Sequence, residues 1–319
     1  MSEDNSNYLN FKLWYIINSG EDLDEIKNEN YFLNLNDIIK FGNIKFIVKE
    51  INIKLKEKKE EKNISSDNID NNYNISNLNE NDIQIIDFFP QPKGFYENLT
   101  EKDNIICYIC RQYECTKENP IIQFCDCNFI HYICLKNDLK KKLIIKQNEK
   151  KTVLNYYING LICKNCKYKY PLSFKISDKN FELLEIKKPS NNDYLILESI
   201  EQKMYYGFMK IIHVIKLNEE NTNIINIGRN LTNDIIIRDP SISREHAELV
   251  YNKNNRKILL RNKSKKFGSL VLIKKLIKIN NSKIQLQIGN VFLETQIIKY
   301  GDFEKIKDKN TENPLPKKY

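Results

Sequence analysis

Cysteine is absent from most of this chain, because all eight cysteines lie between Cys107 and Cys166. The chain also has no run of eighteen apolar residues, so we expect no membrane span. Residues 1–20 lack a basic region, an uninterrupted apolar core and a small-residue cleavage site, which together make a secretory signal. These absences argue against a secreted disulfide framework and predict an intracellular protein, cytoplasmic or nuclear and not secreted.

Length and charge bound the remaining possibilities. A chain of 319 residues with 41% hydrophobic residues can form two domains or three small ones. The net charge of +9 favours an acidic partner, such as nucleic acid, anionic lipid or a phosphoprotein. Nucleic acid is the weakest of these, because the basic residues are scattered and no aromatic stacking platform accompanies them.

Eight potential metal ligands occur as four close pairs. Two residues between ligands allow both side chains to reach one tetrahedral ion, as in structural zinc sites. Four pairs within sixty residues, one of them containing a histidine, predict two zinc ions, whose binding supplies much of the folding energy of this segment. The pairs are Cys107 with Cys110, Cys125 with Cys127, His131 with Cys134, and Cys163 with Cys166.

The order of these pairs resembles that of the RING-CH (RING-variant) zinc finger. In that family the first and third pairs hold one zinc ion and the second and fourth hold the other. The resemblance therefore implies a small α+β module, cross-braced by two Zn²⁺. The run between Cys127 and His131 is shorter than in the family. Cys115 is left spare, or substitutes as a ligand if the short loop distorts the site.

The predicted fold is mainly β, with the small α+β zinc finger as its exception. Within the finger, Leu135, Leu139 and Leu143 repeat at four-residue spacing and predict the buried stripe of a helix. Elsewhere, β-branched and aromatic stretches predict strands, and polar runs predict linkers. The expected segments are an N-terminal β unit (1–55), a flexible linker with an extended lead-in (56–100), the finger (101–175), a β-sandwich (190–300) and a disordered tail (301–319).

Two short motifs lie in the predicted sandwich. A Gly-Arg step ends at Arg229, and a Ser-Arg-Glu-His sequence runs from Ser243 to His246. This pattern resembles the forkhead-associated (FHA) domain, a β-sandwich whose loops bind phosphothreonine peptides. The resemblance implies that Arg229 and Ser243 contact the phosphate, with help from Arg244, while His246 supports the loop. A guanidinium beside a hydroxyl suits this task, because both donate hydrogen bonds to an anion.

The third part of the FHA site is usually an Asn-Gly-Thr loop. Here the chain has Lys265, Lys266, Phe267, Gly268 and Ser269. Four of these complete the predicted phosphopeptide site, but Phe267 replaces the asparagine that holds the peptide backbone in the family. We therefore expect phosphate binding with altered selectivity for the neighbouring residues.

The N-terminal unit repeats a pattern found near the end of the sandwich. Residues 39–46 and 286–293 both place a Gly-Asn step between strand-forming residues, as in the closing hairpin of an FHA domain. Two interpretations stay open. Residues 8–53 are a shortened FHA-like unit, or the two hairpins are unrelated.

Two functions are compatible with these modules, whose pairing resembles that of a set of protist proteins. In the first, the FHA domain binds a phosphorylated protein, and the finger recruits an E2 ubiquitin-conjugating enzyme through Ile109 and Pro171. Such a RING-type E3 ligase acts by orientation, so no residue is catalytic. In the second, the protein is a non-enzymatic scaffold. Asp138 favours it, because it stands where many family members have a tryptophan that contacts the conjugating enzyme.

Overall fold

The structure is a computed structural model of the chain. The residues it describes are 12–17, 31–53, 91–200, 203–204, 207–217, 223–265, 268–274 and 284–295. Most of the predicted linker and all of the predicted tail, 301–319, therefore lie outside the described residues. Among the described residues, no helix is long and apolar enough to cross a bilayer.

The described residues form twenty-one strands, one α-helix and a 3₁₀ turn. Before the cysteine-rich segment lie β1 (Leu13–Ile17), β2 (Tyr31–Phe32), β3 (Ile38–Phe41) and β4 (Ile44–Asn52). Around and within it lie β5 (Gly94–Tyr96), the 3₁₀ turn (Glu101–Asp103), β6 (Ile121–Gln123), β7 (Ile130–His131), α1 (Tyr132–Lys142), β8 (Leu143–Gln147), β9 (Val153–Asn159), β10 (Ser173–Ile176) and β11 (Lys179–Glu182). After it come β12 (Asp193–Ile200), β13 (Lys203–Met204), β14 (Gly207–Leu217), β15 (Asn223–Gly228), β16 (Ile235–Ile236), β17 (Ala247–Asn252), β18 (Lys257–Asn262), β19 (Ser269–Leu272), β20 (Ile284–Ile288) and β21 (Val291–Thr295).

Two sheets form a sandwich. The larger has eleven strands, in the order β21-β20-β1-β19-β3-β4-β12-β14-β9-β8, with β13 paired to β14. The smaller has five strands, in the order β16-β15-β17-β18-β2. Both sheets therefore contain strands from both sides of the cysteine-rich segment. The mainly β fold expected from the sequence is confirmed.

The N-terminal strands do not form a unit of their own, which corrects the separate β unit predicted at 1–55. β3 pairs with β19, β4 pairs with β12, and β1 lies between β19 and β20. β2 pairs with β18 in the smaller sheet. Because backbone groups of these strands are paired with strands beyond residue 190, the N-terminal segment is an internal part of the sandwich.

The large sheet is a middle layer with a core on each face. Leu195 and Leu197 of β12 pack in the core between the two sheets, whereas Tyr194 and Ile196 pack in a second core with the cysteine-rich segment. Successive side chains of a strand point to opposite faces, so one buried strand serves both cores. The cysteine-rich segment is thus packed against the outer face of the sandwich.

The helix of the finger leads directly into the large sheet. α1 buries Leu135 and Leu139 as predicted, whereas Leu143 lies just beyond it, at the start of β8. β8 and β9 form a hairpin that pairs with β14 at the edge of the large sheet. The chain between Cys134 and Cys163 is therefore shared by the finger and the sandwich.

Candidate metal centres and phosphopeptide loops

The eight predicted ligands form two groups of four. Within each group, all ligand atoms lie within 4.8 Å of one another. Set 1 unites the first ligand pair with the third, and set 2 unites the second pair with the fourth. Each set can hold one metal ion, and Cys115 is in neither. Set 1 is Cys107, Cys110, His131 and Cys134, and set 2 is Cys125, Cys127, Cys163 and Cys166.

The chain makes the same turn at Cys107 and at Cys163. In each turn, the N–H of the first cysteine of the pair donates to the carbonyl oxygen five residues later. The distance is 2.9 Å for Cys107 and 2.7 Å for Cys163. The carbonyl of that cysteine accepts from the N–H of Arg111 or Lys167, at 2.9 and 3.0 Å. Arg111 and Lys167 both have left-handed backbones, with φ of 64° and 63°. The two turns therefore present their cysteine pairs in matching ways to the two sets.

Each set contains one cysteine whose pKa is lowered. Burial opposes ionisation of Cys163, but the backbone N–H groups of its turn outweigh that effect and lower its pKa to about 6. The pKa of Cys107 is lowered in the same way, against the effect of burial. Burial raises the pKa of Cys125 and of Cys134 to about 12. A bound cation would stabilise the thiolate form of these remaining sulfurs.

Backbone contacts orient His131 for a metal ion. Its Nε2 lies 2.8 Å from the carbonyl oxygen of Glu114, which fixes that nitrogen as the donor. Nδ1 is then left with a lone pair, and it lies 3.2 Å from Cys110 Sγ and 4.0 Å from Cys134 Sγ. An oriented imidazole with three sulfurs, and a second set of four sulfurs, are donor sets that fit zinc.

The two predicted contacts for a conjugating enzyme lie in different surroundings. Ile109 is 43% exposed, beside the equally exposed Tyr108. Pro171 is half-buried and lines a cavity of about 300 Å³ whose wall includes Ile47 of the large sheet. Asp138 lies on the surface of α1 and forms an ion pair with Lys142 one turn later. The exposed part of the predicted docking surface is therefore around Ile109.

Three loops meet at one end of the sandwich. Loop 1 (229–234) joins β15 to β16, loop 2 (237–246) joins β16 to β17, and loop 3 (263–268) joins β18 to β19. The side chains of Arg229 and Arg244 are exposed. Hydrogen bonds between the backbones of loops 1 and 2 hold both residues at the candidate phosphopeptide site.

Backbone hydrogen bonds join loops 1 and 2. Arg229 N donates to Ser243 O at 2.9 Å, so the two residues predicted to contact phosphate are tied together. The side-chain amide of Asn233 donates to the Arg244 carbonyl at 2.8 Å. A Cβ at Gly228 would overlap that same carbonyl oxygen, so the close approach of the loops requires glycine there.

His246 and two serines join loops 2 and 3. Ser243 N donates to His246 Nδ1 at 3.1 Å, and His246 Nε2 donates to the Gly268 carbonyl at 3.0 Å. The Ser243 and Ser264 hydroxyl oxygens are 2.7 Å apart. Burial lowers the pKa of His246 to about 4, which keeps the acceptor nitrogen unprotonated at neutral pH. His246 thus lies where a loop support is expected.

The structure changes the expected contents of loop 3. Lys265 is exposed, whereas Lys266 and Phe267 lie outside the described residues. Ser269 is fully buried, and its hydroxyl donates to Asn262 Oδ1 at 3.0 Å, so its side chain does not lie among the groups that could meet a peptide. Ser264 was not predicted, because the loop was expected to begin at Lys265.

The first hairpin, β3–β4, packs against loop 2. Asn43 N donates to Ser241 Oγ at 2.8 Å, and any Cβ at Gly42 would overlap the Ser241 carbonyl. The Phe41 ring lies edge-on to the His246 ring, with centroids 5.5 Å apart. The sequence could not reveal this support, because the contacting residues lie about two hundred positions apart.

Comparison with known proteins supports one of the two modules. Residues 225–293 match the family model of the FHA domain. This range contains the three loops and most of the second hairpin, β20–β21, but none of the strands before residue 53. No curated protein and no solved structure matches the chain. The chain therefore contains an FHA domain, and its two candidate metal centres rest on the geometry of the cysteine-rich segment.

Proposed function

We propose that loops 1, 2 and 3 bind phosphothreonine-containing peptides of a partner protein. The observation that carries this proposal is the hydrogen bond between Arg229 N and Ser243 O, which joins the backbones of the two residues that bring a guanidinium and a hydroxyl to this end of the sandwich. Ser264, which is buried, holds the Ser243 hydroxyl in place through a hydrogen bond from loop 3. Arg244 and Lys265, both exposed, add positive charge at the same end of the sandwich.

The test is a screen of the full chain against a phosphothreonine peptide library and the matching unphosphorylated library. We expect Arg229→Ala to weaken the best peptide by roughly tenfold to a hundredfold, because a charge-assisted hydrogen bond is lost. Ser243→Ala has a smaller effect, since it removes a neutral group. Arg261→Ala, an exposed arginine on β18, is the matched control and leaves affinity unchanged. Binding that ignores phosphorylation, or survives Arg229→Ala, contradicts the proposal.

We further propose that sets 1 and 2 each bind one Zn²⁺ and that the segment is a RING-CH-type finger. Bound zinc would supply structural cross-links in addition to the second apolar core. The alternating use of ligand pairs and the matching turns at Cys107 and Cys163 support this proposal. Elemental analysis of the purified chain should find two zinc ions, and Cys163→Ser should release one of them. One ion or none in the unaltered chain argues against the cross-braced arrangement.

As a ligase, the protein would present Ile109 to a ubiquitin-conjugating enzyme while the loops hold a phosphorylated substrate. The exposure of Ile109 and Tyr108 beside set 1 supports this function. The ion pair of Asp138 with Lys142 favours the alternative, a scaffold without ligase activity. It places charged groups at the helical position where many RING-CH fingers have a tryptophan that contacts the conjugating enzyme. Autoubiquitination with a panel of conjugating enzymes separates the two. If the protein is a ligase, Ile109→Ala should abolish ubiquitin transfer and Asp138→Trp should increase it. No transfer by the unaltered chain or by Asp138→Trp supports the scaffold.

A further inference from the structure

We propose that the turn between β8 and β9 positions loop 1, so that the cysteine-rich segment sets the geometry of the phosphopeptide site. The turn residues that act are Asn148 and Lys150, which contact Asp234 of loop 1. The effect on peptide affinity rests on the proposed function, whereas the effect on the loop itself does not.

Asp234 is a carboxylate in loop 1 that is 6% exposed. Its oxygens accept from Asn148 Nδ2 at 2.9 Å, from Asn226 N at 3.0 Å and from Lys150 Nζ at 3.3 Å. Two of these three donors come from the β8–β9 turn rather than from the FHA segment. A buried carboxylate that loses its donors is destabilising, so the order of loop 1 depends on this turn.

The turn is rigid enough to act as a support. Asn148 Oδ1 accepts from the N–H groups of Thr152 and Val153, at 2.8 and 2.9 Å. The Asn148 amide also donates to Thr152 Oγ1 at 2.9 Å. These bonds fix the side chain of Asn148 before it reaches loop 1, so little conformational entropy is lost in the contact.

Within loop 1, hydrogen bonds connect Asp234 to the residues that are predicted to contact phosphate. Asn233, next to Asp234, donates through its side chain to the Asn230 carbonyl at 2.9 Å and to the Arg244 carbonyl at 2.8 Å. Arg229 directly precedes Asn230. A shift of Asp234 is therefore passed to both arginines of the site.

The other end of this connection lies at the candidate metal ligands. Asn148 lies about midway along the chain between Cys134 of set 1 and Cys163 of set 2. α1 and β8 lead from Cys134 to the turn, and β9 leads from the turn towards Cys163. Because both ends of this stretch are ligands, metal binding and peptide binding are coupled, and each strengthens the other by the same factor.

The experiment uses Asn148→Asp in the full, zinc-loaded chain. This change keeps the Oδ1 acceptor for the turn but places a second carboxylate against Asp234. We expect faster amide hydrogen exchange at residues 226–234, with about five- to twentyfold weaker binding of the best phosphothreonine peptide from the screen. Adding Asp234→Asn restores a donor and an acceptor at this contact and should recover both. Glu149→Ala, an exposed residue of the same turn, is the control.

Each outcome decides between the two proposals. Unchanged exchange at 226–234 in Asn148→Asp, or no recovery in the double variant, overturns the positioning role and leaves peptide binding intact. Changed and recovered exchange in a protein that binds no phosphopeptide keeps the positioning role and overturns the proposed function. Zinc removal by a chelator should speed exchange at 226–234 less in Asn148→Asp than in the unaltered chain. An equal effect contradicts the coupling.

Discussion

The two hairpins of this protein share a sequence pattern but differ in almost every contact. The first, β3–β4, lies in the interior of the large sheet between β19 and β12. Its turn at Gly42 packs on loop 2. Its buried side chains belong to the core between the two sheets, which is the main core of the protein. The second, β20–β21, forms the edge of the sheet that lies away from β8. There Phe292 is 70% exposed, and a Cβ added at Gly289 would meet no described residue within 4 Å.

Local sequence determines that a hairpin forms, whereas contacts with residues distant in sequence determine where that hairpin lies in the sheet. Alternation and a Gly-Asn turn are sufficient for either hairpin to form. The N-terminal hairpin gains its burial from residues near position 200 and beyond. The family model covers most of the second hairpin and none of the first, although the first is the one that supports loop 2.

The largest difference between the hairpins should be in their cores. Phe46 is fully buried, and Phe46→Ala should lower the free energy of unfolding by about 3–5 kcal/mol, because it leaves a large cavity. The matching position in the second hairpin is Leu293, which is 39% exposed, so Leu293→Ala should cost less than about 1 kcal/mol. Chemical denaturation of both variants measures the contrast. Equal losses would mean that the two hairpins are equally built into the fold.

The turns should differ next. Gly42→Ala forces a Cβ into the Ser241 carbonyl at a left-handed φ of 54°, and we expect a loss of about 2–4 kcal/mol with weaker peptide binding. In Gly289→Ala the added Cβ meets no described residue within 4 Å, so only the left-handed φ of 57° opposes the change. We expect the free energy of unfolding to fall by about 1 kcal/mol. Thermal unfolding and peptide titration of the two variants give the comparison. A loss of peptide affinity in Gly289→Ala alone would reverse it.

Acid should loosen the first hairpin before the second. Burial lowers the pKa of His213 to about 3 and of His246 to about 4, and their rings pack on Phe46 and Phe41. Both lie below the ordinary value of about 6.5, so the unfolded chain binds more protons and stability falls as the pH drops from about 6.5 towards these values. Each histidine contributes at most about 1.4 kcal/mol per pH unit.

Hydrogen exchange at pH 7 and pH 5 measures this loss for each hairpin separately. Excess zinc and a metal indicator in the sample exclude release of metal as the cause. Residues 38–52 should lose more protection than residues 284–295. Equal changes in the two hairpins would show that the buried histidines do not govern the acid response.

Part of the candidate site could be predicted from the sequence, because it depends on short spacings. The ligand pairs were predicted from spacing and their alternating use from the resemblance, and the structure brings these residues into two sets. Arg229, Ser243 and His246 were predicted in the same way, and the FHA segment that contains them is confirmed. In both cases a few neighbouring residues carry most of the information.

The remaining features depend on pairs that are distant in sequence. Asn148 was not predicted, because its role exists only where the β8–β9 turn meets Asp234. Ser264 was missed since a serine in a polar stretch has no pattern of its own. The N-terminal strands were expected as a separate unit, because alternation defines the buried face of a strand but not its neighbour.

Residues 12–53 complete the sandwich that holds loops 1, 2 and 3. The two-dimensional amide NMR spectrum of residues 190–300 expressed alone tests this role most directly. Without β1 to β4, both sheets lose strands and the main core loses Ile17, Ile39, Phe41, Phe46 and Val48, all at most 1% exposed. We therefore expect the collapsed spectrum of an unfolded chain. A dispersed spectrum would contradict the account, because it would mean that the second hairpin can take the place of the first.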